Sequence, residues 1–117
     1  MLKVKRVYEA FERSDGIRFL VERLWPRGVK KEKLIMDAWL KDVAPSDSLR
    51  RWFGHDPLKW NEFQKRYSAE LGGNPDARRP ILDAATQSDV TLLYSARDTE
   101  HNNALVLRSF LEAYLSR

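Results

Sequence analysis

The run Val90-Thr91-Leu92-Leu93-Tyr94 constrains the fold more than any other part of this chain. Its apolar side chains do not alternate with charged ones, so an extended segment of this composition is buried on both faces. A strand covered on both sides lies inside a sheet, parallel to its neighbour. The polar loop Ser95-Ala96-Arg97-Asp98 follows. A helical pattern comes next, in which Asn103, Leu107, Phe110, Leu111, Tyr114 and Leu115 share a face and Thr99 or Asp98 is the expected cap.

The remaining segments repeat this alternation. Residues 2–8 read as a strand, with Leu2, Val4 and Tyr8 on one face and Val7 on the other. Ser14-Asp15-Gly16 is a turn signal, and residues 17–22 form the second strand. Lys30, Lys31, Glu32 and Lys33 make a charged turn, and Asp37-Ala38-Trp39-Leu40 fits either a short strand or a helical turn. Ser46 caps a short helix carrying Leu49, Trp52 and Phe53 on one apolar face, which Gly54-His55-Asp56-Pro57 ends. Trp60, Phe63, Tyr67 and Leu71 recur at helical spacing, placing a helix over residues 58–71. A proline inside a helix loses a hydrogen bond, so residues 74–79 are expected to turn and Pro80 to sit near the first position of a third helix. Together these elements predict a single α/β domain over residues 1–117. Its small, mostly parallel sheet of three or four strands is layered with about four helices.

Composition removes several chemistries. The chain has no cysteine, which excludes disulfides, thiolate catalysis and Cys-based metal centres. Two histidines far apart in sequence do not make a metal site, and no motif implies a cofactor. No apolar run approaches the length of a membrane span. Met1 to Val7 alternates apolar and basic residues instead of forming the apolar centre of a signal peptide, so a cytoplasmic location is expected. The net charge of +4 permits nucleic-acid binding through Lys3, Lys5, Arg6, Lys30, Lys31 and Lys33, but acidic residues are interspersed throughout. A third possibility is an interaction module that exposes Trp52 and Trp60 as a partner surface.

Two polar segments stand where the fold places ligands, outside the carboxyl ends of strands. The first is Arg23-Leu24-Trp25-Pro26-Arg27-Gly28. A guanidinium donates two parallel hydrogen bonds to a carboxylate or phosphate, and Trp25 is suited to stack on a planar ligand. Pro26 stiffens this loop and Gly28 lets backbone approach closely. The competing reading pairs Arg23 with a carboxylate at a sheet edge and puts Trp25 in the core. The second segment, residues 95–103, runs into a helix N-terminus, where Ser95, Arg97, Asp98, His101 and Asn102 are candidates to hold an anion. Helix capping competes for the same residues. His55 and Asp56 form a secondary candidate pair, more simply read as a turn.

Several motifs carry a family resemblance when taken in order. They are Leu24-Trp25-Pro26-Arg27-Gly28, Ala44-Pro45-Ser46, Gly54-His55-Asp56-Pro57, Arg66-Tyr67 with Glu70-Leu71, and Thr91 through Asp98 with His101-Asn102. The chain resembles the YeaO-like family, domain-of-unknown-function family 488, over nearly its whole length. The resemblance implies no catalytic role to carry over. Longer relatives have Cys and His around the loop matching residues 95–101, whereas this chain has His101 and no Cys.

The residues therefore point to a binder of an anionic small molecule, a nucleotide or sugar phosphate. Arg23, Arg27 and Arg97 would hold the anion, Trp25 would wall the pocket, and Ser95, Asp98, His101 and Asn102 would orient the ligand. If the site is catalytic, His101 or Asp98 is the group for proton transfer in a hydrolase or transferase. Everything functional rests on the two loops meeting in space.

Overall fold

A computed structural model describes residues 1–116. The sheet has four strands, β1 (Leu2–Arg6), β2 (Ile17–Leu20), β3 (Ala38–Trp39) and β4 (Val90–Tyr94), in the order β1-β4-β2-β3. Every pairing is parallel. The last strand in sequence is thus inserted between the first two, and all of its residues are buried. Four helices accompany the sheet: α1 (Asp47–Phe53), α2 (Trp60–Gly72), α3 (Pro75–Ala85) and α4 (Asn103–Leu115). Among the described residues no helix is long and apolar enough to cross a membrane.

The two faces of the sheet are covered differently. Leu2, Phe19, Val21, Val90, Leu92 and Tyr94 pack into one core with residues of all four helices, including Phe53, Phe63, Ile81 and Leu107. The opposite face carries polar side chains from the same strands, and irregular segments cover it. Lys5 and Arg18 both bind the buried Asp15 carboxylate, while the Thr91 hydroxyl donates to the Asp15 carbonyl at 2.7 Å. The short connection from β1 to β2 therefore crosses β4 on this face without an α-helix, with only a 3-10 turn at Arg13–Asp15. Towards the carboxyl ends, Val7, Leu20 and Leu93 form a second apolar cluster, and Trp25, Val29, Leu34, Met36 and Trp39 close over it. This arrangement ties the arginine loop to the end of the sheet.

Gly16 marks the tightest approach in the fold. Its φ is +68°, and a β-carbon there would lie 2.1 Å from the Asp89 carbonyl oxygen. The turns leading into β2 and β4 meet at this point.

Several expected boundaries shift for identifiable reasons. The first strand stops at Arg6, where the Glu9 carboxylate accepts the Arg6 N–H at 2.7 Å, so Tyr8 lies in a turn and is exposed instead of facing the core. The second strand ends at Leu20, although Val21 N–H still donates to the Leu93 carbonyl. The ambiguous segment at Asp37 to Leu40 resolves as the two-residue edge strand β3. A 3-10 turn at Pro57–Lys59, capped by Asp56, precedes α2, which runs one residue past Leu71.

Residues 74–79 were expected to turn, but α3 begins at Pro75 and carries Pro80 inside it. Pro75 takes the first helical position, where no N–H is needed. Pro80 denies the Asp76 carbonyl its partner, but both residues are exposed, so that carbonyl is open to solvent. The cap of α4 is Asn102, whose side chain accepts the Leu105 N–H, in place of the expected Thr99 or Asp98.

Candidate functional site

The carboxyl ends of the parallel strands release two loops that meet. Residues 22–28, after β2, and residues 95–98, 102 and 103, after β4, line one cleft of about 1120 Å³, closed at the side by Pro45, Arg50, Phe53, His55 and Phe63. Central placement of β4 beside both β1 and β2 causes this meeting, because their ends emerge side by side.

The cleft is rich in guanidinium groups, but the arginines have different tasks. Arg23 is committed to structure: its Nη2 donates to the Ala44 carbonyl at 3.0 Å and its Nε to the Pro45 carbonyl at 3.3 Å. Arg6 spends its Nε on the Ala96 carbonyl at 2.9 Å and lies over the Tyr8 ring. Arg27 and Arg97 are exposed, and neither side chain has a hydrogen bond or ion pair among the described residues. Arg50 reaches Asp47 at 3.4 Å, while its Nε is buried without a hydrogen-bond partner. The site thus holds guanidinium groups whose hydrogen-bonding capacity the protein does not use.

Trp25 follows the core reading. Its indole N–H donates to the Val29 carbonyl at 2.6 Å, and its ring stands edge-on to Trp39 at 5.3 Å. This bond closes the loop around Pro26, which is buried, and leaves Arg27 at the tip. The Tyr8 hydroxyl holds the Arg27 carbonyl at 2.8 Å. Gly28 corrects an expectation: nothing lies within 4 Å of a β-carbon there, and its φ of +72° is what favours glycine.

In the second loop, capping accounts for several candidates. One oxygen of Asp98 accepts the N–H groups of Glu100 and His101, and the other lies 2.9 Å from His101 Nδ1. The Glu100 N–H, helped by the His101 contact, holds this carboxyl below its usual range, so Asp98 is an ionised acceptor. His101 does not line the cleft; its ring meets Trp60 edge-on at 5.1 Å. Asn102 lines the cleft, but its amide caps α4 and donates to the Asp98 carbonyl at 3.0 Å. The Asn103 amide ties α4 to the Val21 carbonyl at 2.7 Å.

Ser95 has a partner that the sequence did not single out. Its N–H and its hydroxyl both donate to one oxygen of Glu22, at 2.7 and 2.9 Å. Burial pushes the Glu22 carboxyl up from its ordinary value, against the opposing effect of the Ser95 bonds and the charges of His55 and Arg50. The only available signal was position: Glu22 precedes Arg23 at the end of β2, so the strand-end argument applied to it equally. Nothing in the sequence sets Arg50 apart from the other arginines of the chain.

His55 lines the cleft while Asp56 turns away to cap the next 3-10 turn. His55 has a φ of +57°, the one non-glycine residue with positive φ among the described residues. Such backbone costs about 1–3 kcal/mol and concentrates at ligand sites.

The alternative surfaces are also placed. Lys3 donates to the Ser14 carbonyl and Lys5 to Glu12 and Asp15, so the N-terminal basic residues serve the fold. Lys30, Lys31 and Lys33 are exposed. Trp52 is half-buried beneath Lys59 and Arg66, and Trp60 packs on Phe53 and Phe63.

Comparison with known proteins gives a consistent pattern. The family model described as "Inactive DUF488-N3 subclade" matches residues 1–117. The uncharacterised protein YeaO of Escherichia coli is 43% identical over 112 residues, covering 96% of this chain and 97% of that protein. Uncharacterised proteins of Mycobacterium tuberculosis and Mycobacterium bovis are each 38% identical over 110 residues, covering 94% of this chain and 92% of theirs. No solved structure matches the chain.

Proposed function

The chain belongs to the DUF488 family, and from that membership and the chemistry of its cleft we propose that it binds an anionic small molecule, a nucleotide or sugar phosphate, without transforming it. The observation that carries this reading is the pair Arg27 and Arg97, cationic side chains from two different loops that line one cleft and have no partner in the protein. By contrast Arg6 and Arg23, half-buried in the same cleft, are bonded to backbone carbonyls. A phosphate or carboxylate would take up their parallel N–H donors.

Binding is favoured over turnover for two reasons. The matching family model describes an inactive subclade. The residues expected to move protons, His101 and Asp98, are bonded to each other, and His101 stands outside the cleft.

A thermal-shift panel of inorganic phosphate, ribose 5-phosphate, glucose 6-phosphate and AMP tests the proposal. A ligand at about 100 times its Kd adds about 2.7 kcal/mol of stability. That is a rise in Tm on the order of 10 °C for a domain of this size. Arg27→Ala should keep the unliganded stability within about 0.5 kcal/mol, as exposed substitutions do, and should lose most of the ligand-dependent rise. No shift with any of these anions, or an undiminished shift in Arg27→Ala, refutes the proposal.

A further inference from the structure

We infer that the ligand is a phosphorylated sugar whose hydroxyl groups are read by Glu22, with its phosphate held by Arg27 and Arg97. This rests on the anion-binding reading of the cleft and specifies the ligand class.

Two carboxylates line the cleft: Asp98, whose oxygens are both engaged by its own loop, and the half-buried Glu22. Both hydrogen bonds that Glu22 accepts from Ser95 go to one oxygen, Oε1. The second oxygen, Oε2, has no hydrogen bond among the described residues. An ionised carboxylate is acceptor-only, so the open oxygen calls for a donor on the ligand. A phosphate placed against it would be repelled, which assigns the phosphate to the unpaired guanidinium groups and a neutral hydroxyl to Glu22. Ser95 fixes the carboxylate through two bonds, so little ordering remains for the ligand to drive.

The aromatic residues of the cleft decide between a sugar and a nucleobase. A base needs a free ring face on which to stack. Trp25 already carries the Lys31 ammonium over its ring at 5.7 Å and Trp39 in edge contact. Tyr8 carries the Arg6 guanidinium at 4.9 Å. Phe53 and Phe63 are stacked on each other with ring centroids 4.1 Å apart, and both are buried. Each of these four rings already carries a cation or another ring, whereas the open Glu22 oxygen and the unpaired guanidinium groups suit hydroxyl and phosphate.

Isothermal titration of the full chain tests this with four probes: ribose 5-phosphate, tetrahydrofurfuryl phosphate (a similar ring lacking the hydroxyls), inorganic phosphate and AMP. The wild type should bind ribose 5-phosphate about tenfold or more tightly than tetrahydrofurfuryl phosphate, the equivalent of one charge-assisted hydrogen bond. This comparison needs no variant to fold. Glu22→Gln should weaken ribose 5-phosphate by a similar factor while leaving inorganic phosphate unchanged or tighter. Equal tightening of both ligands would make Glu22 a mere source of repulsion and overturn the inference. Equal weakening of both would make it structural and also overturn it. AMP binding more tightly than ribose 5-phosphate would reject the choice of sugar over base. Failure of every probe to bind the wild type would instead reject the underlying anion-binding reading.

Discussion

Gly16 and Gly28 separate the cost of a backbone conformation from the cost of a steric collision. Their φ values are nearly equal, +68° and +72°. A β-carbon on Gly28 meets nothing within 4 Å, while one on Gly16 would lie 2.1 Å from the Asp89 carbonyl oxygen and 2.7 Å from its carbon. Gly28→Ala therefore bears only the left-handed conformation, about 1–2 kcal/mol. Gly16 also has ψ near −136°, a combination that side chains with a β-carbon avoid. Holding alanine there costs about 1–3 kcal/mol. In addition, the Asp89 carbonyl must retreat by about 1.3 Å or more to reach ordinary contact distance. That oxygen accepts the Ile17 N–H at 2.9 Å, the bond that starts the β2–β4 ladder. Losing it adds about 1 kcal/mol. The expected total for Gly16→Ala is about 2–4 kcal/mol, a large share of the roughly 5–15 kcal/mol that holds a domain folded. Urea unfolding followed by circular dichroism, with all three proteins fitted to a common m-value, measures the difference. If Gly16→Ala and Gly28→Ala agree within about 0.5 kcal/mol, the close approach of the turns before β2 and β4 is refuted.

Further expectations concern the helices and Glu22. Pro80→Ala restores a backbone donor in the exposed part of α3 and should stabilise the protein by about 1–2 kcal/mol, the helix gain exceeding the loss of proline's rigidity in the unfolded chain; a destabilised variant in the same urea assay would contradict the account of α3. Ser46 caps α1 by accepting the Leu49 N–H and also donates to Glu70. Ser46→Ala should therefore cost about 1–2 kcal/mol, and a neutral result would remove the cap from the account. The folded-state pKa of Glu22 is raised above its ordinary value of 4.5 by burial. Its contribution to stability is thus complete below that value and declines as pH rises through the folded value. The Tm difference between Glu22→Gln and wild type should accordingly grow in favour of the variant from pH 4 towards neutrality; a pH-independent difference would show that Glu22 titrates normally.

The candidate site was half legible. Its two backbone segments were found because strand ends can be read from apolar runs and their polar punctuation, and parallel sheets collect ligands at those ends. Individual side chains were less readable. Arg23 and Arg27 look alike in sequence, yet the first binds carbonyls of Ala44 and Pro45 and the second has no partner. That difference depends on which distant backbone passes nearby. His101 looked like a ligand group because it is polar beside a helix start, but the Trp60 ring and the Asp98 carboxylate claim it. In sequence Glu22 is one acid among many; Ser95, 73 residues away, is what gives it a fixed position.

Local chemistry by itself determined the elements of this protein: the doubly buried run at Val90–Tyr94, the glycine and proline stops, the cap at Ser46, the turn at His55-Asp56, and hence an α/β domain with polar loops at its strand ends. Tertiary structure alone decided that β4 enters between β1 and β2, because strand order depends on non-local pairing that no sequence window contains. That insertion joined the arginine loop to the Ser95 loop in one cleft, fixed Glu22 against Ser95, and left Arg27 and Arg97 without partners.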